Sequence, residues 1–179
     1  MTINGILFAD ATHYQFFRHQ SRRLRETGYA SDVYSRSLLY VLGVCAETRN
    51  HFAELFDLQE HGIRLDGQSC GWQTGTSRKV TRLAFNLWNG CIYDGEEEAE
   101  QGTVSSLYAV DELFCCAFQP YFLEAIQIRF PQYGRVKRSP TSPEAADTAS
   151  APTALQGGET SASVPVVPLA IQGLIPRTK

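Results

Sequence analysis

Apolar residues recur at helical spacing along most of the chain between Phe8 and Tyr133, and one stretch carries the pattern most fully. From Ser69 to Gly90 (SCGWQTGTSRKVTRLAFNLWNG) a glycine-punctuated loop leads into a segment with Val80, Leu83, Ala84, Leu87 and Trp88 at i, i+3, i+4, i+7 and i+8. That spacing lays one apolar stripe along an α-helix. Ser77 is placed as the N-cap of this helix, its hydroxyl able to accept from an unpaired first-turn amide. Gly90 follows where a left-handed residue closes a helix. Leu83, Leu87 and Trp88 each contribute about 1.5–3 kcal/mol or more when fully buried, so the Ser77–Asn89 helix is expected at the centre of the core.

The same periodicity predicts helices on either side. A first helix starts at Asp10 or Thr12, ends before Gly28 and turns Tyr14, Phe17 and Leu24 inward. A second, capped by Ser31 or Asp32, runs to about Cys45. Tyr34, Leu38, Val41 and Cys45 form its stripe, widened by Leu39, Leu42 and Val44, a pattern typical of a helix buried over most of its circumference. Gly43 inside it costs about 1 kcal/mol relative to alanine, unless another backbone packs closely there. A third helix from about Glu47 to Leu58 carries Phe52, Leu55 and Phe56 inward, and Ile63 and Leu65 suit a short extended piece. The last helical region, VDELFCCAFQPYFLEAIQIRF, is interrupted by Pro120, which either kinks one helix or opens a second. Between them, CIYDGEEEAEQGT lacks apolar periodicity and calcium-loop spacing and reads as a solvated acidic loop. The expected fold is mainly α, a single-domain bundle of about five helices packed round the Ser77–Asn89 helix.

Composition sets the boundary of that bundle. Every aromatic residue lies between Phe8 and Tyr133, whereas six of the eight prolines lie from Pro140 onward. Residues 1–134 are therefore expected to form the helical domain, and residues 135–179, rich in Pro, Ser, Thr and Ala, a disordered tail. Within the tail the apolar segment Val164–Pro176 reads either as a short docking motif or as a plain terminus. A formal net charge of −3 steers the molecule toward neither nucleic acid nor an anionic membrane. No apolar run reaches the roughly 18 residues of a membrane span, and MTINGILFAD does not resemble a signal peptide. Five cysteines in no framework spacing suit a reducing compartment. A cytoplasmic location is expected.

Charge also supplies the candidate chemistry. Arg78, Lys79 and Arg82 crowd the first turns of the Ser77–Asn89 helix, where each cation is unfavourable by about 0.3–1 kcal/mol. Compensation comes either from the protein's own carboxylates, such as the acidic run, or from an external phosphate or acidic partner. The loop is not a P-loop, because Gly71-x3-Gly75 is followed by Thr-Ser-Arg-Lys. Trp72 and Gln73 read as anchors of that loop or as ligand contacts. On the first helix, Arg18, Arg22 and Arg25 stand at i, i+4 and i+7 beside Arg23, either as a solvated exterior or as a contact strip for phosphates or acidic side chains. His13, His19, His51 and His61 form no zinc-ligand motif with the cysteines, so no metal or cofactor is expected. His51 with Glu54, or Cys91 with a histidine, can be drawn as a catalytic pair, yet no nucleophile elbow or dinucleotide fingerprint supports one.

WQTGTSRKVTRLAFNLWNG, ELFCCAFQPYFLEAIQIRFPQY and SLLYVLGVCAETRNHF together give the chain a resemblance. It resembles a family of small uncharacterised proteins from Gram-positive, gut-type bacteria and their mobile elements. The resemblance implies a compact cytosolic bacterial domain and carries no activity or functional residue with it; the acidic run and the tail look like additions to the family pattern. The leading expectation is a non-catalytic interaction protein whose Arg78/Lys79/Arg82 and Arg18/Arg22/Arg25 surfaces hold an acidic protein partner. An inhibitor of a host defence system is one specific version. The alternative is a nucleic-acid-binding accessory protein using the same cations, favoured if the first and fourth helices are neighbours. A small enzyme is the third, favoured if Trp72, His51 or Cys91 line a pocket with perturbed ionisable groups.

Overall fold

The computed structural model describes residues 1–133, so the expected disordered tail, with its Val164–Pro176 segment, lies outside the described residues. The described chain is mainly helical: α1 Ala11–Glu26, α2 Val33–Leu42, α3 Ala46–Asn50, α4 Phe52–Leu55, α5 Gly75–Asn89, α6 Glu96–Gln101, α7 Val110–Phe114 and α8 Gln119–Arg129. Two minimal antiparallel pairs accompany them, β1 Thr2–Ile3 with β2 Ile6–Leu7 and β3 Phe56–Asp57 with β4 Gly62–Ile63. Among the described residues no helix is long and apolar enough to cross a membrane.

Local chemistry explains where the long helices begin. Asp10 caps α1, its carboxylate accepting from the His13 N–H at 2.7 Å. Asp32 caps α2, accepting from the Ser35 N–H at 2.8 Å. The start of α5 differs from the sequence expectation. Thr74 is the N-cap, and Ser77 sits at N3 as its reciprocal partner. Thr74 Oγ1 accepts from the Ser77 N–H at 3.1 Å, and Ser77 Oγ accepts from the Thr74 N–H at 2.7 Å. This capping box satisfies two orphan amides at once and moves the helix start back to Gly75. Gly90 closes α5 in the left-handed region, at φ 78°, as expected.

The core centres on α2 and α5 packed together, with α1 and α8 also laid against α2. Leu38 through Leu42 are all buried, so α2 is enclosed on nearly every side. From α5, Val80, Leu83, Ala84 and Leu87 are buried as the stripe predicts, and Phe85 is buried too, on a helix that α2, α3, α7 and α8 all contact. Trp88 is only half-buried and meets Phe56 and His61 edge-on. Gly43 ends α2 rather than lying inside it. A β-carbon there would stand 2.8 Å from His13 Cδ2 and 2.9 Å from Phe16 Cδ1, so α1 side chains, not another backbone, press against this turn.

Among the described residues eight helices stand where about five are expected, and the additions arise at three places. The third helix breaks at His51 into α3 and α4, and Phe56–Asp57 leaves helical backbone to pair with β4. Phe52, Leu55 and Phe56 are nevertheless buried. Pro120 stands in the first turn of α8, where its missing N–H costs nothing, so it opens a second helix after α7. The acidic run is not all loop: Glu96, Glu97 and Glu98 form the first turn of α6, where the helix dipole favours negative charge. Ile63 is extended in β4, while Leu65 enters a 3-10 turn over Leu65–Ser69.

Candidate functional site

The cations at the start of α5 are largely engaged within the molecule. Arg82 is 7% exposed and forks onto Asp94, with Nε–Oδ1 at 2.6 Å and Nη2–Oδ2 at 2.9 Å. A bidentate guanidinium–carboxylate pair of this kind is the strongest form of charge-assisted hydrogen bonding. Lys79 Nζ donates to the Glu112 carbonyl at 2.6 Å and lies 2.8 Å from Cys115 Sγ, tying α5 to α7. Arg78 is exposed. The acidic run thus supplies one of the compensating charges, through Asp94.

Trp72 and Gln73 fasten the loop that precedes α5. The Trp72 ring stacks on His51 with centroids 4.3 Å apart and planes 7° from parallel. Its Nε1–H donates to Glu54 Oε2 at 2.7 Å, while Glu54 Oε1 holds His51 Nδ1 at 2.8 Å. The bond from His51, then that from Trp72, stabilises the carboxylate and pulls the Glu54 pKa down. Gln73 is buried; its amide donates to the Gly67 carbonyl and to Thr81 Oγ1, and its carbonyl accepts from the Ser77 hydroxyl at 2.8 Å. Cys91 is buried 3.6 Å from the Tyr108 hydroxyl. Among the described residues no group of three or more His, Cys, Asp and Glu is arranged to hold a metal ion.

A second site gathers between α1 and the start of α2. Helical spacing places Arg18, Ser21, Arg22 and Arg25 on one face of α1, and the turn into α2 brings Ser31 and Arg36 against them. These six side chains and Phe17 line a cleft of about 260 Å³. A shallower depression bounded by Gln15, Arg18, His19 and Arg22 adjoins it, so Arg18 and Arg22 stand between two concave surfaces. Arg18 lies over the Tyr14 ring, 5.8 Å from its centroid. Among the described residues no carboxylate comes within ion-pair distance of Arg18, Arg22, Arg25 or Arg36. Asp32, the nearest acid along the chain to Arg36, spends its carboxylate on the α2 cap.

The expected strip on α1 is therefore half of a cleft, and Arg36 and Ser21 complete it. Sequence reasoning missed both, although Arg36 lies one turn into a helix that a short connection folds back against α1. The two expected strips do not form a tight pair, because α1 and α5 each pack chiefly on α2.

The described molecule is a small, mainly helical protein with one concave cationic face. The chain belongs to a family of unknown function, DUF6075, whose model matches residues 3–142. That span takes in all three blocks that carry the resemblance. No curated protein and no solved structure matches the chain.

Proposed function

We propose that this is a non-catalytic cytoplasmic binding protein that holds an acidic protein partner in the cleft between α1 and α2. One observation carries the reading: four arginines share a cleft in which no carboxylate of the described residues pairs with them. Guanidinium groups cannot shed their protons, so an anion seated in the cleft is attracted by all four, although Arg18, Arg22 and Arg25 are also exposed to solvent. Arg82 and Lys79 serve as internal ties, Trp72 and Gln73 as loop anchors, and Arg78 as an outlying exposed charge. In a mobile-element setting, inhibition of a host defence protein is the specific form this binding takes.

The test is affinity capture from a bacterial lysate with the full chain, beside an Arg18→Gln/Arg22→Gln/Arg25→Gln variant, with and without nuclease. A protein retained by wild type, lost by the variant and resistant to nuclease is the expected result. Loss on nuclease treatment promotes the nucleic-acid reading. Retention that ignores the three arginines contradicts the proposal.

A further inference from the structure

We propose that the α1–α2 cleft is a phosphoryl-group site, built to take a phosphate monoester such as a phosphorylated side chain of the partner. This inference rests on the reading of the cleft as the partner-binding surface. Its independent support is Ser21. That residue is 8% exposed and lines the cleft, and its Oγ is the buried side-chain oxygen among the described residues that lacks a hydrogen-bond partner. A hydroxyl in helical sequence ordinarily turns back to a carbonyl one turn earlier, and leaving it buried and unpaired costs stability. Ser21 lines the cleft with the four arginines, and a turn of its χ1 toward the cleft would give the hydroxyl the oxyanion partner it lacks.

The donor set distinguishes the ligand. A carboxylate brings one charge and two oxygens, and a single arginine fork answers that charge while leaving further lone pairs open. A phosphate monoester brings a charge of about −1.5 to −2 and three strongly accepting oxygens. Arg18, Arg22, Arg25 and Arg36 with the Ser21 and Ser31 hydroxyls bring four positive charges to one cleft, which the larger charge and third oxygen of the phosphate answer better than a carboxylate does. Space permits it. At about 30 Å³ per water-sized group, the five heavy atoms of a phosphoryl ester take up roughly 150 Å³, and the cleft holds about 260 Å³.

Charge and shape argue against a nucleic-acid backbone. A phosphodiester carries one charge on two free oxygens, and its affinity comes from a track of phosphates with bases stacked on exposed rings. The ring in this cleft, Phe17, is turned into the core against Phe8 and Tyr40, at 5.7 and 6.2 Å between centroids. Of the exposed rings nearby, Tyr29 is stacked on His61 and Tyr34 lies beneath Arg129. Neither is presented as a base platform.

Calorimetric titration of the full chain decides the matter. The probes are a short phosphoserine peptide with no other charged side chain, its serine and glutamate counterparts, inorganic phosphate, a glutamate-rich peptide and single-stranded DNA. The phosphoserine peptide is expected to bind at least about tenfold more tightly than the glutamate form, with inorganic phosphate competing. Ser21→Ala is expected to weaken the phosphopeptide severalfold while its melting temperature stays level or rises, because an unpaired buried hydroxyl has been removed. That pairing separates a ligand contact from a structural role.

Equal binding of phosphoserine and glutamate peptides, or a Ser21→Ala variant with unchanged phosphopeptide affinity, overturns the phosphoryl site. Arginine-dependent binding of the glutamate-rich peptide in the same experiment leaves the partner-binding reading standing. Preference for DNA with steep salt dependence also overturns it, and absence of binding to every probe removes both readings together.

Discussion

His13 shows how one side chain can hold two helices and the turn before them in place. It is fully buried, its Nδ1 accepts from the Ala9 N–H at 3.2 Å, and its Nε2–H donates to the Tyr40 carbonyl at 2.8 Å. That pattern fixes the neutral ring with its proton on Nε2. Burial, the largest cause, pushes its pKa down from 6.5 to about 4. The unfolded chain therefore takes up this proton first, and the folded form loses stability as pH falls from 6.5 toward 4, by about 3 kcal/mol in all. Urea denaturation at a series of pH values checks this. The stability advantage of wild type over His13→Gln is expected to shrink across that window and to level off below it. A second residue-scale prediction concerns Arg82, whose partner Asp94 belongs to the acidic run. Asp94→Asn is expected to cost about 1–3 kcal/mol, because it leaves a nearly buried guanidinium without its carboxylate. An unchanged denaturation midpoint would mean that the pair is mere surface charge.

At the scale of elements, the starts and stops that depend on adjacent residues were readable in the sequence. Asp10, Asp32 and Gly90 act within one turn of their own position, and each performs the role its residue type implies. Ser77 and Thr74 are both eligible for the α5 cap by residue type, and only the reciprocal hydrogen bonds give the cap to Thr74 and N3 to Ser77. The break between α3 and α4 at His51 has no signal in the apolar spacing, and the turn that packs on α4 comes from far along the chain. Gly67, in the Leu65–Ser69 turn, presses directly on the Glu54 carbonyl, where an added β-carbon would overlap the oxygen and crowd Leu55 at 2.8 Å. Gly67→Ala is therefore expected to destabilise by about 1–3 kcal/mol through overpacking. Thr74→Ala is expected to cost about 1 kcal/mol through the lost cap. Thermal denaturation distinguishes them from neutrality, and a Gly67→Ala variant as stable as wild type would contradict the close approach of this turn to α4. The cleft was half readable for the same reason. Arg18, Arg22 and Arg25 share a helix face by spacing alone, whereas Arg36 arrives on another helix and the Ser21 hydroxyl signals only by lacking a partner.

For the whole molecule, charge is distributed so that the two cationic surfaces have opposite fates. The start of α5 is neutralised from within, by Asp94 on Arg82 and by the Glu112 carbonyl on Lys79, and this stitches the later helices to the core. The α1–α2 face keeps its arginines unpaired by carboxylates among the described residues, in a chain whose formal net charge is −3. A positive cleft on a negative molecule directs an acidic partner to one place through its local field. The most direct measurement is a titration of a glutamate-rich peptide into wild type, Arg18→Gln/Arg22→Gln/Arg25→Gln and Arg78→Gln. The account predicts binding to wild type and Arg78→Gln alike and loss of at least about tenfold in the triple variant. Undiminished binding to the triple variant, or loss confined to Arg78→Gln, would contradict it and move the site to the entrance of α5.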